Sequence, residues 1–222
     1  KDGRAKRMEL VVFADRTAPK ITLTAPAEGE ILNISSVAVT GQLEEANPAA
    51  LLINGHAVEV IDGSFSTTVT LPEGANSLVI HARDLAGNTA GLTRTVTVDL
   101  SPPLPFSLQG PTGYTNNNRP EISFAAADTV SGIAAYYLRL DGGKWQGPVT
   151  SPYRFEEALP DGEHIVEVKA VDRAGWETVS SPLGFIVDTI PPDPPALVRA
   201  IPGKDWIKVV WKLVVAPPPA EG

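Results

Sequence analysis

Apolar and polar residues alternate in short stretches along most of the chain. In the stretch that ends at Asp84, Leu78, Ile80 and Ala82 share one face of a two-residue period, and the residues between them share the other. This period is typical of a β-strand with one buried face. No segment keeps the longer period of an amphipathic helix. The pattern therefore predicts an all-β protein in which Leu78, Ile80 and Ala82 are buried.

One block of the sequence is repeated at a distance of 88 residues. Residues 71–88 and 159–176 align without a gap, and the second copy places Val166, Val168 and Ala170 on the predicted inner face. Both copies run into an Asp-x-Ala-Gly segment. The carboxylate there accepts backbone N–H bonds and the glycine supplies a positive φ, so each segment predicts a tight turn. The returning strands are predicted over residues 89–98 and 178–187.

A second repeated signal marks the ends of domains. An Asp is followed closely by proline in residues 14–19, 98–103 and 187–192. Proline has no N–H and cannot extend a sheet ladder, so each signal predicts a proline-rich linker. We predict the last strand of a preceding domain in residues 1–15, complete domains in residues 16–100 and 101–190, and an incomplete segment in residues 191–222.

Further turn signals fall inside the predicted domains. Asn54-Gly55 and Asp62-Gly63 are strong signals for two-residue hairpin turns, and Asp141-Gly142-Gly143 predicts a turn in the second domain. About seven short strands at this spacing predict a two-sheet sandwich of roughly 85–90 residues per domain.

The first predicted domain resembles the bacterial immunoglobulin-like modules that serve as accessory or stalk domains of secreted glycosidases and adhesins. Residues 53–55, 60–63, 65, 71–76 and 84–88 carry the resemblance. The second is similar to a related module through residues 128–133, 137–142 and 172–175, with Trp176 in place of the usual Asn. The resemblance implies tandem immunoglobulin-like Greek-key β-sandwiches in a secreted or cell-surface protein. It says little about function, because such modules serve many host proteins.

Both ends of the chain resemble parts of domains. Residues 5–14 match the last strand of a repeat, and residues 194–211 are similar to the opening of a fibronectin type III domain, with Trp211 as a core residue. An unpaired apolar strand is an aggregation hazard. We therefore expect residues 8–14 to pair with the first sandwich, with the third segment or with a neighbouring copy.

Composition excludes several classes of function. The chain has 18 basic and 26 acidic residues, and its basic residues are scattered, which argues against nucleic-acid binding. It has no cysteine, which excludes disulfides, thiolate metal sites and cysteine nucleophiles. No apolar run is long enough to insert this segment into a membrane.

The titratable residues form no recognisable catalytic set. His56, His81 and His164 lack the spacing of metal ligands and are expected on the surface or in loops. The pairs Glu44-Glu45 and Glu156-Glu157 are adjacent, so in strands their carboxylates face opposite ways and form no glycosidase pair. The sequence therefore predicts a protein that is not an enzyme, with no catalytic residues and no cofactor.

Calcium is weighed separately, because several Asp residues lie in the predicted turns and linkers. Asp84, Asp99, Asp172 and Asp188 occupy such places. Calcium takes about 6–8 oxygen ligands, and each junction offers only about two well-placed acids. We therefore expect these residues to cap turns, predict no metal site, and expect a calcium chelator to change the melting temperature little. The resemblance implies calcium at the joints as an alternative, since some bacterial Ig-like adhesins rigidify their joints in this way.

The aromatic residues are concentrated in the second domain: Tyr136, Tyr137, Trp145, Tyr153 and Trp176. Exposed aromatic faces stack on flat ligands such as sugar rings. The favoured interpretation is that these side chains fill the core or pad a joint, and carbohydrate binding is the alternative.

The sequence as a whole favours a non-catalytic spacer in a secreted or cell-surface bacterial multidomain protein. Its expected partners are neighbouring domains or copies of the same protein. Two alternatives stay open: an accessory module that binds carbohydrate or a partner through the second domain's aromatics, and a subunit of an extracellular filament assembled by strand complementation.

Overall fold

The structure is a computed structural model that describes residues 14–194 and 197–212. In these residues β-strands are joined by turns and bends, and no helix is long and apolar enough to cross a bilayer. Apart from Ala14, the predicted strand in residues 5–14 lies outside the described residues. The expectation that residues 8–14 are paired therefore stays a prediction.

The first sandwich is built from nine strands in two sheets. One sheet has the order β1-β3-β7-β6 and the other β2-β9-β8-β4-β5. Strand β2 pairs parallel with β9, and the other neighbours are antiparallel. The strands are β1 (Lys20–Ala25), β2 (Glu30–Leu32), β3 (Ser36–Glu44), β4 (Pro48–Ile53), β5 (His56–Ala57), β6 (Val60–Ile61), β7 (Ser64–Thr70), β8 (Gly74–Asp84) and β9 (Thr89–Val98).

The core of the first sandwich lies between these sheets, and the alternation in β8 decides what enters it. Leu78, Ile80 and Ala82 are buried, as predicted, and they pack in one cluster with residues such as Val39 and Phe65. The intervening His81 is exposed. A one-residue shift of register would turn the inner face outward, so this pattern fixes the register of the strand.

Two-residue turns close the predicted hairpins. Asn54 and Gly55 have φ values of 48° and 82°, and Asp62 and Gly63 have values of 49° and 74°. Positive φ at both central residues suits the right-handed twist of a hairpin, and Asn, Asp and Gly adopt it at the lowest cost.

The second sandwich repeats this plan. Its sheets have the orders β10-β12-β15 and β11-β18-β16-β13-β14, with β17 pairing with β16. Strand β11 runs parallel to β18, as β2 runs parallel to β9. The predicted inner face of β16 is buried. The strands are β10 (Leu108–Gln109), β11 (Gly113–Thr115), β12 (Glu121–Phe124), β13 (Ile133–Leu140), β14 (Gln146–Val149), β15 (Tyr153–Arg154), β16 (Gly162–Asp172), β17 (Glu177–Val179) and β18 (Leu183–Val187). The predicted all-β sandwich fold is confirmed.

The returning strand of the second hairpin differs from the prediction. Residues 178–187 were expected to form one strand, but the strand is divided into β17 and β18. Pro182, which has no N–H to donate, lies in the gap. Ser180 bridges the gap, since its N–H donates to the Val168 carbonyl and its hydroxyl accepts from the Val168 N–H at 3.1 Å.

The third segment forms a two-stranded antiparallel hairpin of β19 (Leu197–Pro202) and β20 (Ile207–Lys212). The expectation that Trp211 is a core residue is wrong, because 58% of this residue is exposed. A two-stranded hairpin has no facing sheet of its own to cover its side chains, and exposed Trp206 and Ile207 show the same effect.

The described chain forms two compact units. The first runs to Phe106 and also contains Ala126–Tyr136 and Lys169–Val179. The second contains Ser107–Ala125, Tyr137–Val168 and the residues from Ser180 onward. The loop before β13 and the turn after β16 thus belong to the same unit as the linker that follows β9. The domain boundaries expected from the sequence stay predictions.

Candidate functional site

The three histidines lie on different strands and differ in burial. His56 and His81 are exposed on β5 and β8. His164 is buried on β16, so the expectation of a surface or loop position is wrong for this residue. Its Nδ1 is 2.9 Å from Asp141 Oδ2 and its Nε2 is 2.9 Å from the Pro160 carbonyl oxygen. Both nitrogens are thus engaged in holding the strand to its flanking turns.

The aromatic residues of the second sandwich make specific intramolecular contacts. The hydroxyl of Tyr136 accepts a hydrogen bond from the Ala126 N–H at 3.0 Å. The guanidinium of Arg139 lies 4.6 Å from the centre of the Trp145 ring, and the ring of Tyr153 packs edge-on against Phe155. Carbohydrate binding by these residues stays the alternative to the favoured packing role.

In the first sandwich, the predicted Asp-x-Ala-Gly turn satisfies both oxygens of its carboxylate. Asp84 Oδ1 accepts a bond of 2.8 Å from the Asn88 N–H, and Asp84 Oδ2 accepts one of 2.7 Å from the Asn88 side-chain amide. The same amide lies 3.3 Å from the Asp15 carbonyl oxygen. Burial alone would raise the pKa of Asp84, but the hydrogen bonds from Asn88 and its neighbours outweigh burial and hold the pKa below its usual value.

In the second sandwich, the equivalent turn keeps its backbone bonds and loses the amide. Asp172 Oδ1 accepts a bond of 2.8 Å from the Trp176 N–H. The indole Nε1–H of Trp176 donates to the Asp99 carbonyl oxygen at 2.9 Å, as Asn88 does to Asp15. The indole has no second donor, however. Asp172 Oδ2 is therefore buried without a hydrogen-bond partner.

Asp172 meets two further carboxylates. One carboxylate oxygen from each of Asp99, Asp128 and Asp172 lies within 4.8 Å of the others. Asp99 and Asp172 are 0% and 2% exposed, and the Oδ2 atoms of both are buried without a partner. Asp128 is half-buried, and its Oδ1 accepts N–H bonds of 3.1, 2.8 and 2.7 Å from Val130, Ser131 and Gly132. These three residues are named the Asp triad below.

A related cluster lies at the first hairpin turn. Carboxylate oxygens of Asp15, Glu45 and Asp84 also lie within 4.8 Å of one another. Asp15 is exposed, however, and both oxygens of Asp84 have a donor from Asn88. The two clusters share one plan, in which a linker Asp, an acid from a neighbouring loop and the hairpin Asp come together. They differ in what satisfies the hairpin Asp.

Two family models match successive parts of the chain. Residues 19–100 match the glucodextranase domain B family, and residues 109–189 match the bacterial Ig-like domain family. The chain carries immunoglobulin-like domains in tandem. The predicted resemblance is confirmed, and the first Ig-like domain corresponds to the sandwich of β1–β9 and the second to that of β10–β18.

A curated relative and two solved structures are similar to this tandem. Bacillopeptidase F of Bacillus subtilis (strain 168) is 30% identical over 95 residues, which are 43% of this chain and only 7% of the relative. Fibronectin(III)-like modules of Clostridium thermocellum CbhA match with 19% identity and a TM-score of 0.45, over 76% of this chain and 94% of theirs. The D00-D0 domain of intimin matches with 10% identity and a TM-score of 0.38, over 75% of this chain and 100% of its own. Scores this low carry no functional inference.

Sequence reasoning missed one member of the Asp triad. It expected about two well-placed acids at each junction and identified two members of the triad, Asp99 and Asp172. Asp128 lies in a loop of the second Ig-like domain, 29 residues beyond Asp99. The available signal was the segment Asp128 to Gly132, in which an Asp carboxylate accepts bonds from the N–H groups that follow it. That this loop meets the other two acids is visible only in the folded chain.

Proposed function

We propose that this chain is a non-catalytic structural segment of an exported bacterial multidomain protein, where it holds neighbouring domains at a set distance. The observation that carries the proposal is that the buried polar side chains make structural hydrogen bonds. Each one makes hydrogen bonds that stabilise a turn, a linker or a strand edge. The family matches support the proposal, since Ig-like domains are typical accessory modules of multidomain proteins.

The buried polar residues bind mainly backbone groups close to them in the chain or across a strand pair. Asp84 and Asp172 accept from the residue that closes each hairpin turn, and Asp99 accepts from the Ser101 N–H at 3.2 Å. The other buried polar residues are Ser131, His164 and Ser180, which bond the Asp128 carboxylate, the Pro160 carbonyl and the Val168 N–H. Bonds of this kind stiffen a module without presenting a reactive group to a substrate.

An extracellular location is part of the same proposal. The chain has no cysteine, so its stability comes from the sandwich cores and not from disulfides. The similarity to part of Bacillopeptidase F supports a multidomain host protein, since the shared segment makes up only 7% of that relative.

The spacer function is tested by measuring the distance between the two Ig-like domains in solution. Because the chain has no cysteine, a Thr68→Cys, Glu163→Cys double variant takes spin labels at two exposed positions only, one in each domain. Pulsed double electron–electron resonance should give one narrow distance distribution. The control variant, Ser36→Cys with Ser64→Cys, places both labels in one sheet and gives the width due to the labels alone. A distribution between domains that is several times broader than this control would overturn the proposal.

A further inference from the structure

We propose that residues 8–13 of one copy of the chain bind, as an added β-strand, in the groove between β14 and β15 of a neighbouring copy. This groove is named the β14–β15 groove below, and all the residues that line it belong to the second compact unit. The inference goes beyond the spacer function, because one copy suffices to hold domains apart whereas an exchanged strand links copies. It gives the filament alternative one donor and one acceptor.

The β14–β15 groove opens one side of the second sandwich. Strand β14 is the last strand of one sheet and β15 is the last strand of the other. The groove has a volume of about 890 Å³, and its lining includes the nearly buried Leu138, Phe155 and Leu159. An edge strand presents unpaired backbone N–H and C=O groups to one side. The groove therefore offers both backbone groups and apolar surface, which are the two features that bind an added strand.

The first sandwich shows which shape fits at this place. There, β6 pairs antiparallel with β7 and completes a four-stranded sheet, and Val60 of β6 packs against the core. The corresponding sheet of the second sandwich ends at β15, which has two residues where β7 has seven. The opening on the same side of the first sandwich is about 380 Å³. The groove is thus larger in the sandwich whose described strands include no fourth member of this sheet, and a β-strand is the element that fills it.

The sequence of residues 8–13 has the alternation that such a strand needs. Met8, Leu10 and Val12 share one face of a two-residue period, and this face is wholly apolar. Six extended residues span roughly 20 Å, which is enough to run the length of the four-residue β14. The apolar face would cover the groove while the backbone pairs with an edge strand.

Charge complementarity favours this donor. Residues 1–7, which precede the strand, contain four basic residues and one acidic residue. Among the described residues that line the groove, only Glu156 and Glu157 are charged, and both are exposed. Complementary charges steer association and fix the orientation of a partner. They matter more in a chain with a net charge of −8, whose copies otherwise repel one another.

Light scattering of the full chain over a range of concentrations tests the assembly. The weight-average mass of the wild type should rise with concentration. Leu10→Asp should raise the dissociation constant for assembly by about tenfold or more, because it places an unpaired charge on the apolar face of the strand. The matched control is Leu85→Asp, the same change at a residue that is 75% exposed, and it should assemble as the wild type does.

A second pair of variants tests the charges. The double variant Glu156→Lys, Glu157→Lys should weaken assembly roughly three- to tenfold at low salt, and the difference should shrink in about 1 M NaCl because salt screens exposed charges. The control is Glu59→Lys with Glu163→Lys, which makes the same change in net charge at two exposed positions outside the groove.

Cross-linking identifies the acceptor. Because the chain has no cysteine, a Val11→Cys chain mixed with an Ala158→Cys chain can be joined by a short bismaleimide at these two positions only. Mass spectrometry of the digested product should find the peptides of Val11→Cys and Ala158→Cys joined. The matched control replaces Ala158→Cys with Thr68→Cys, which lines the smaller opening of the first sandwich, and should give little product.

Four results would overturn the proposal. A wild-type chain that stays monomeric at every concentration forms no exchanged strand. Assembly that survives Leu10→Asp indicates direct pairing of edge strands between copies. Preferential cross-linking to Thr68→Cys assigns the acceptor to the first sandwich. A cross-link that forms within a Val11→Cys, Ala158→Cys double variant, but not between the two single variants, shows that the segment binds its own chain.

Discussion

At the scale of single residues, His164 shows how hydrogen-bond partners oppose the effect of burial on a titratable group. Its Nε2 meets the Pro160 carbonyl and its Nδ1 meets the Asp141 carboxylate, both at 2.9 Å. Both partners only accept hydrogen bonds, so both ring nitrogens carry a proton when both bonds are made. Burial alone would lower the pKa of His164, but the Pro160 carbonyl and the Asp141 carboxylate outweigh burial and raise the pKa above its usual value.

A pH dependence of stability follows from the direction of this shift. Because the pKa of His164 is higher in the folded chain, protonation stabilises the folded state fully below the unfolded-state pKa of about 6.5. This contribution is lost as the pH rises through the folded-state pKa. His164→Gln should therefore lower the melting temperature most in mildly acidic buffer and progressively less as the pH rises. Calorimetry across a pH series measures the difference between variant and wild type, and His81→Gln on the exposed face of β8 is the control. A difference that does not change with pH would contradict the prediction.

At the scale of elements, the packing of the strands depends on close contact between backbone and side chain as well as on the alternation of apolar and polar residues. Gly41 lies in the middle of β3 and pairs with Leu23 of β1 on one side and Phe65 of β7 on the other. A Cβ atom at this position would collide with the Thr22 carbonyl oxygen and with the Phe65 ring. The glycine is required here by space and not by a positive φ, and it lets a large aromatic ring enter the core beside the backbone.

Gly41→Ala should therefore destabilise the first Ig-like domain by about 1–3 kcal/mol, which is typical of overpacking in a close-packed core. Urea unfolding measures the free energy of unfolding of the variant. The matched control is Gly184→Ala in β18, where an added Cβ would meet nothing within 4 Å. The control should change stability by no more than about 0.5 kcal/mol. Equal effects of the two substitutions would show that the loss comes from backbone propensity and not from the collision.

At the scale of the whole molecule, each of the two Ig-like domains has its own core, whereas large apolar side chains of the third segment are exposed. The first core is a single cluster that includes Val39, Phe65 and Leu78, and the second sandwich buries residues such as Ile122 and Leu138. In the hairpin of β19 and β20, Trp206, Ile207 and Trp211 are exposed. Two strands alone are marginally stable, so this segment gains little from its own packing.

Truncating Trp211 should therefore have little effect on either Ig-like domain. We expect Trp211→Ala to change the free energy of unfolding by no more than about 0.5 kcal/mol, as for other exposed substitutions. The comparison is Phe65→Ala, which empties a buried position and should cost about 3–5 kcal/mol. Both values come from denaturant unfolding of the full chain. A large loss in Trp211→Ala would restore the sequence-based expectation that this residue belongs to a core.

Features that depend on local physical chemistry could be predicted from the amino-acid sequence. Strand alternation placed Leu78, Ile80 and Ala82 inside, because a period of two leaves only one face available for burial. The Asn54-Gly55 and Asp62-Gly63 turns followed from the positive φ that these residues tolerate. The gapless repeat at 88 residues was sufficient to predict tandem sandwiches of related build.

Contacts between residues far apart in the chain could be identified only in the folded protein. The burial of His164 depends on two hydrogen-bond partners, the Asp141 carboxylate and the Pro160 carbonyl. The exposure of Trp211 depends on there being no sheet opposite it among the described residues. The Asp triad gathers a linker, a loop and a hairpin turn from positions 99, 128 and 172, and no local pattern reports such a convergence. Local sequence sets the conformation of each segment, whereas a site of this kind depends on contacts between segments far apart in the chain.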